Sequence, residues 1–246
     1  MQPYAISVST IEEAAAAIRA LRPRNVVVFT GAGVSADSGI PTFRGEGGLW
    51  RNFRAEDLAT PQAFARDPAL VWEWYEWRRG LVSAAEPNAA HRAIAALTGA
   101  VVVTQNVDGL HARAGSADVV ELHGNLFRAR CVREQNVRPA PDAFDAIPPR
   151  CECGALLRPD VVWFGEMLPE DAVARASAVI GAAELLLIIG TSGIVYPAAG
   201  FVALCGGMTI EINPQTSALS SRCTYAVAET AAAATPPLVE AILETH

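Results

Sequence analysis

Apolar positions along the chain fall into two patterns. Short unbroken runs at 26–29, 101–103 and 185–189 carry no polar residue, as parallel strands covered on both faces do, and a further short stretch with Ile210 and Ile212 stands at 209–212. These predict strands at 26–30, 101–104, 185–190 and 209–213, with further short ones at 119–122 and 225–227. Between them, 11–21, 69–85, 89–97 and 237–244 read as helices, the first capped by Ser9 or Thr10 and the third opened by Pro87-Asn88. Strands alternating with helices predict an α/β fold, a Rossmann-like parallel sheet with helices on both faces.

The pattern breaks at 125–164, where Cys131, prolines at 139, 141, 148 and 149, and Cys151-Glu152-Cys153-Gly154 mark a small inserted domain. The expected division is a Rossmann-like domain of 1–44, 86–124 and 165–246, with a small domain of 45–85 and 125–164 that has a helical and a cysteine-bearing, zinc-ribbon-like part. With 246 residues, 51% hydrophobic and 18% charged, the chain can bury a sizeable core. Its most apolar region, 176–208, is cut by Glu184, Gly190 and Pro197 into pieces too short for a bilayer, so no membrane association is expected. The first residues lack a basic start with an apolar core, which points to a cytoplasmic protein. A net charge of −7 argues against a nucleic-acid partner. All 19 basic residues are arginine, which excludes a Walker A lysine and Schiff-base catalysis. Five cysteines without a secretory signal suggest reduced thiols or a metal site.

Candidate chemistry begins directly after the first strand. Gly31, Gly33 and Ala36 satisfy the G-x-G-x-x-G/A dinucleotide pattern, whose small residues bring backbone N–H groups close to a pyrophosphate. The pattern alone is equally a glycine turn. Ser35, Asp37 and Ser38 add polar groups, and 39–44 breaks any helix, leaving an Arg44-bearing loop of the kind that closes over a nucleotide. Gln105-Asn106-Val107-Asp108, Gly190-Thr191-Ser192 and Asn213-Pro214 each follow a strand, at the edge where open α/β sheets bind ligands. His123, at a strand end before Gly124, is the general-base candidate. His91 reads as a helix-surface or packing residue, and neither His111 nor His246 has the claim of His123.

The segments GAGVSADSGIPTFR, TQNVDGLH, ELHG, LRPDVVWFGE, GTSGIVYPA and EINP stand in the order found in the sirtuins, the NAD-dependent protein lysine deacylases, and the chain resembles that family from Val26 to about Leu243. The resemblance implies that NAD is held by Gly31, Ala32, Gly33, Ser35, Asp37, Phe43, Arg44, Trp50, Gln105, Asn106, Asp108, Gly190, Thr191, Ser192, Asn213 and Pro214. It implies that Asn106 and His123 are catalytic, that Val161, Val162, Phe164, Gly165 and Tyr196 receive an acylated-lysine peptide, and that the products are free lysine, nicotinamide and 2′-O-acyl-ADP-ribose. The family holds a structural zinc on two Cys-x-x-Cys pairs. Here Cys131, Cys151 and Cys153 remain, Glu134 stands where the partner of Cys131 should be, and the second pair is compressed to Cys-x-Cys; zinc on three thiolates plus a carboxylate or water, and a module folded without metal, both stay open. Tyr75 and Arg78 match the Tyr-x-x-Arg pair of the branch that removes succinyl and malonyl groups. Spacing alone leaves Tyr75 in the core and Arg78 on the surface, yet three residues apart on a helix they can jointly grip a carboxylate. Two rivals remain: a mono-ADP-ribosyltransferase, which would dispense with an acyl-lysine tunnel, and a silent NAD or ADP-ribose binding module, which would need neither His123 nor Asn106.

Overall fold

The computed structural model describes residues 8–41, 53–193 and 198–245, apart from the side chains of 198 and 199. The first helix, α1 (Ile11–Leu21), is set by a capping box: the Thr10 hydroxyl accepts the Glu13 N–H while the Glu13 carboxylate accepts that of Thr10. The following run becomes β1 (Val26–Thr30), every residue of which is buried. Successive side chains leave opposite faces of a strand, and here Val26 and Val28 pack into one core while Val27 and Phe29 pack into another. An unbroken apolar run therefore serves two helical layers at once.

A single 3-10 stretch, Ala32–Ser38, follows β1 and ends at Gly39, whose φ of 79° suits glycine. Short helices α2 (Ala55–Leu58) and α3 (Pro61–Arg66) lead to α4 (Pro68–Ala84), capped by Asp67. Next come α5 (Ala89–Ala95), capped by Asn88, β2 (Val101–Thr104), α6 (Leu110–Ala114), β3 (Val119–Glu121), β4 (Gly124–Cys131), β5 (Val137–Pro139) and β6 (Leu157–Val161). The chain then runs through α7 (Glu170–Gly181), β7 (Leu185–Ile189), α8 (Ala198–Phe201), β8 (Met208–Ile212), β9 (Tyr225–Val227) and α9 (Ala231–Leu243).

The main sheet is parallel throughout, ordered β3-β2-β1-β7-β8-β9. Succession runs outward from β1 on one side and from β7 on the other, so the strand order reverses between them, and the C-terminal ends of these two strands flank a ligand crevice. One face is covered by α1, α5 and α9, the other by α7. The second sheet, β5-β4-β6, is antiparallel, and it shares a core with α2, α3 and α4 through Trp72, Leu126, Leu157 and Trp163.

One expectation needs correction. The closing helix starts at Ala231 rather than at 237, and Pro236 and Pro237 sit inside it. Each proline forfeits a helical hydrogen bond, at a cost of up to about 3 kcal/mol, but Ala234, Leu238, Ala241 and Ile242 are fully buried against the sheet, and the Thr230 hydroxyl caps the early start. Segment 157–166 is a strand only as far as Val161. Beyond it the backbone leaves the sheet, with the Val162 N–H donated to the His123 carbonyl and that of Phe164 to Ala59.

Candidate functional site

The loops after β1 and β7 are fused by contact between glycines. The Gly33 N–H donates to the Gly190 carbonyl at 2.8 Å and that of Gly31 to Ile189 at 3.0 Å. A Cβ on Gly33 would lie 2.6 Å from the Gly190 Cα, and one on Gly190 would lie 2.3 Å from the Val34 nitrogen. These glycines therefore let two loops meet, and their own N–H groups are already committed rather than open to a pyrophosphate. Ala32, between them, lines the pocket beside Ser35, Ile40, Pro41, Arg78, Val82, Asn106, Val107, Asp108 and Leu126.

Polar groups from the strand ends converge here. Ser35 Oγ donates to Asp108 Oδ2 at 2.7 Å and accepts from Asn106 Nδ2 at 3.1 Å, all three residues being buried. The other Asp108 oxygen accepts the Leu110 N–H, which anchors the carboxylate to the start of α6. On the β7 side, Gln105 Nε2 donates to Thr191 Oγ1 at 3.0 Å and Asn213 Nδ2 to the Thr191 carbonyl at 2.9 Å. Ser192 is half-buried beside them and Pro214 is exposed. Asp37 is exposed and turned to a structural task, accepting the Ala232 N–H in the first turn of α9. Phe43, Arg44, Trp50 and Tyr196 lie outside the described residues.

His123 Nδ1 lies 2.8 Å from the Gln105 carbonyl. A carbonyl only accepts, so Nδ1 carries the proton and Nε2 keeps its lone pair. Burial holds the imidazole below its ordinary pKa, the Gln105 carbonyl opposing in part, and the ring is neutral at pH 7.

Two histidines that sequence reading set aside are buried behind the site. His91 Nδ1 accepts the Asn88 N–H, which leaves Nε2 to donate to Ser35 Oγ at 3.5 Å. His111 Nε2 meets Thr30 Oγ1 at 3.0 Å, and Thr30 Oγ1 donates to Thr104 Oγ1 at 2.8 Å. The rings are 4.8 Å apart. Burial pushes His91 down to about 4 and His111 down to about 3. The Asn88 cap three residues before His91 was the one local signal of this network.

Tyr75 is buried, its hydroxyl accepting the Trp163 indole N–H at 2.9 Å, and burial pushes its pKa up to about 12. Arg78 is half-buried on the same helix and faces the pocket, its guanidinium pKa lowered by burial. Val161 ends an edge strand with Val162 beyond it, while Phe164 and Gly165 are exposed; such an edge can accept an added strand.

Away from the crevice, Cys131, Glu134, Cys151 and Cys153 bring their ligand atoms within 4.8 Å of one another. Cys131 Sγ is 3.6 Å from Cys153 Sγ and also accepts the Glu134 N–H. That hydrogen bond, ahead of any other cause, favours the Cys131 thiolate. Three sulfurs and a carboxylate at this spacing match the tetrahedral donor set of zinc, so the cluster can hold one ion with Glu134 as the fourth ligand.

A family model described as the Sir2 family matches residues 31–197. The NAD-dependent protein deacylase 2 of Pyrobaculum aerophilum is 51% identical over 227 residues, spanning 89% of this chain and 91% of that protein. A solved complex of a Sir2 homolog with NAD superposes with a TM-score of 0.89 at 43% identity, covering 98% of this chain and 97% of the other. A solved complex of Sir2 with a p53 peptide and NAD+ does so with a TM-score of 0.80 at 31% identity, covering 90% and 95%.

Proposed function

Because this chain belongs to the Sir2 family and is an NAD-dependent protein deacylase, we propose that it removes acidic acyl groups, succinyl and malonyl, as well as acetyl from lysine side chains of proteins. The observation that carries this reading is the position of Arg78, which lines the same pocket as Ser35, Asn106 and Asp108. A carboxylate buried in an apolar acyl tunnel costs several kcal/mol unless it is paired. A guanidinium in the wall supplies the partner, and a protonated Tyr75 adds a neutral donor.

In this reading NAD, the cosubstrate, supplies an electrophilic ribose carbon with nicotinamide as its leaving group. Asn106 and Asp108 hold the carboxamide and a ribose hydroxyl, with Ser35 fixing both side chains through its hydroxyl. The acyl oxygen of the modified lysine bonds to the ribose carbon as nicotinamide departs, His123 Nε2 takes a proton from a ribose hydroxyl whose oxygen then attacks the acyl carbon, and one water completes the release of free lysine and 2′-O-acyl-ADP-ribose. The peptide is received along the edge that ends at Val161, and a peptide as substrate is supported by the solved Sir2 complex with a p53 peptide. The division into an NAD-binding domain and a small domain is proposed with it.

Mass spectrometry of succinyl- and acetyl-lysine peptides, with and without NAD, tests the reading. Both should lose their acyl group only with NAD. Arg78→Met should lower succinyl kcat/KM by about 2–3 kcal/mol of transition-state binding, the scale of a charged hydrogen bond, and acetyl turnover by far less. A parent enzyme that leaves succinyl-lysine intact, or an equal fall on both substrates, would reduce the chain to a plain deacetylase.

A further inference from the structure

The segment that follows β6 and the face of α4 that carries the acyl pair are joined by one hydrogen bond, from the Trp163 indole to the Tyr75 hydroxyl, across 88 sequence positions. Both partners are at least nine-tenths buried. An indole N–H can only donate and a phenol oxygen can both donate and accept, so the direction of this bond is fixed by chemistry. Among the described residues the indole is the only hydrogen-bond partner of Tyr75. The phenol proton is thus a buried donor whose acceptor has to come from elsewhere.

Trp163 is itself clamped. The Arg158 guanidinium stacks 3.4 Å from the centroid of its ring, and Phe64 packs at 5.2 Å. Glu166 grips Arg158 with both oxygens, at 2.6 and 2.8 Å, and also accepts the Trp163 backbone N–H at 2.8 Å. A cation on the ring face draws electron density from the indole and makes its N–H the stronger donor. The adjoining residues Val162 and Phe164 are tied by their backbones to His123 and Ala59.

We propose that Trp163 is a positioning residue for acyl selectivity: by occupying a lone pair of the Tyr75 oxygen, its indole N–H directs the phenol proton to an acidic acyl group held beside Arg78. This rests on the reading of the site as one for acyl carboxylates. Burial keeps Tyr75 protonated across the working pH range, so it remains a donor. The arrangement leaves acetyl-lysine, which has no distal acceptor, largely indifferent to Trp163.

The test is the ratio of succinyl to acetyl kcat/KM in Trp163→Phe, Tyr75→Phe and the double variant, with Arg78→Met alongside. Trp163→Phe keeps an aromatic face for the Arg158 stack and removes the donor together with part of the ring volume, a loss of packing that both substrates share and that the ratio therefore cancels. The ratio should fall about tenfold, the scale of one hydrogen bond, mainly through the succinyl KM, and the double variant should match Tyr75→Phe alone. A merely structural role would lower both substrates together and leave the ratio where it was, which would overturn the proposal. So would an unchanged ratio in Trp163→Phe while Arg78→Met still loses succinyl turnover selectively. If Arg78→Met also leaves the ratio unchanged, it is the acyl-carboxylate reading that fails, and the role of Trp163 falls with it. Should Trp163→Phe fold poorly, 3-benzothienylalanine placed at position 163, which keeps the bicyclic shape and lacks the N–H, carries the same comparison, with the same fall in ratio expected and an unchanged ratio overturning the proposal.

Discussion

At His123 a single acceptor decides a chemical role. The Gln105 carbonyl holds the Nδ1 proton, so the free lone pair sits on Nε2, and burial keeps the ring neutral at and above the ordinary imidazole range. His123→Ala should therefore lower turnover by about 100-fold or more, the contribution of a positioned base, while calorimetry shows NAD affinity nearly unchanged. For the unaltered enzyme kcat/KM should be flat from about pH 9 to 6.5 and fall below that, because a general base must be uncharged to act and burial holds this imidazole under its ordinary value of about 6.5. Full activity in the alanine variant, or a fall in rate as the pH rises from 6 to 8, would remove His123 from the base role.

At the scale of elements, the cysteine module is built from the end of β4 and the turn after it, closed by the loop that leads to β6. Glu134 occupies a position three residues after Cys131, and the Cys131 to Glu134 turn aims its carboxylate at the Cys151 sulfur, 3.7 Å away. Metal binding to such a set contributes directly to folding, since the ligands converge only in the native state. Elemental analysis should give one zinc per chain, and removing it with a chelator should lower the melting temperature by several degrees, about 1–2 kcal/mol for a domain of this size. Glu134→Ala should weaken zinc retention without unfolding the protein at room temperature. Metal-free protein that melts unchanged would show that the module holds its shape by its apolar contacts alone.

For the whole molecule, the buried His91–His111 pair ties stability to pH. Both folded-state values, about 4 and about 3, lie below the unfolded value near 6.5. Above that value neither state is charged and the pair imposes no penalty. As the pH falls from 6.5 towards 4 the unfolded chain takes up protons that the folded one refuses, so stability drops by about 1.4 kcal/mol per pH unit for each histidine. Urea denaturation at pH 7, 6 and 5 should show midpoints that fall together with pH. A midpoint constant over that range would mean that the pair is charged or solvated in the native state.

The sequence by itself determined what is local. The unbroken runs of β1, β2 and β7 fit strands sheathed on both faces, the start of α1 was marked by a cap at Ser9 or Thr10, of which the structure uses Thr10, and the strand ends that carry Gln105, Asn106, Thr191 and Asn213 lay where ligands gather. Tertiary structure decided what depends on pairs far apart in the chain. Ser35 meets Asp108 across 73 positions, Trp163 meets Tyr75 across 88, and neither pairing leaves a periodic trace in the sequence. The same distance explains one feature that a local reading left open and one that it placed wrongly. His91 was open between a helix-surface and a packing residue because its helix is short and its neighbours are small, and the structure makes it a packing residue, set against Ser35 of the loop after β1 and the His111 ring. The early start of α9 escaped notice because two prolines disfavour it locally, and only the apolar contacts with the sheet, which exist after folding and not before, outweigh them.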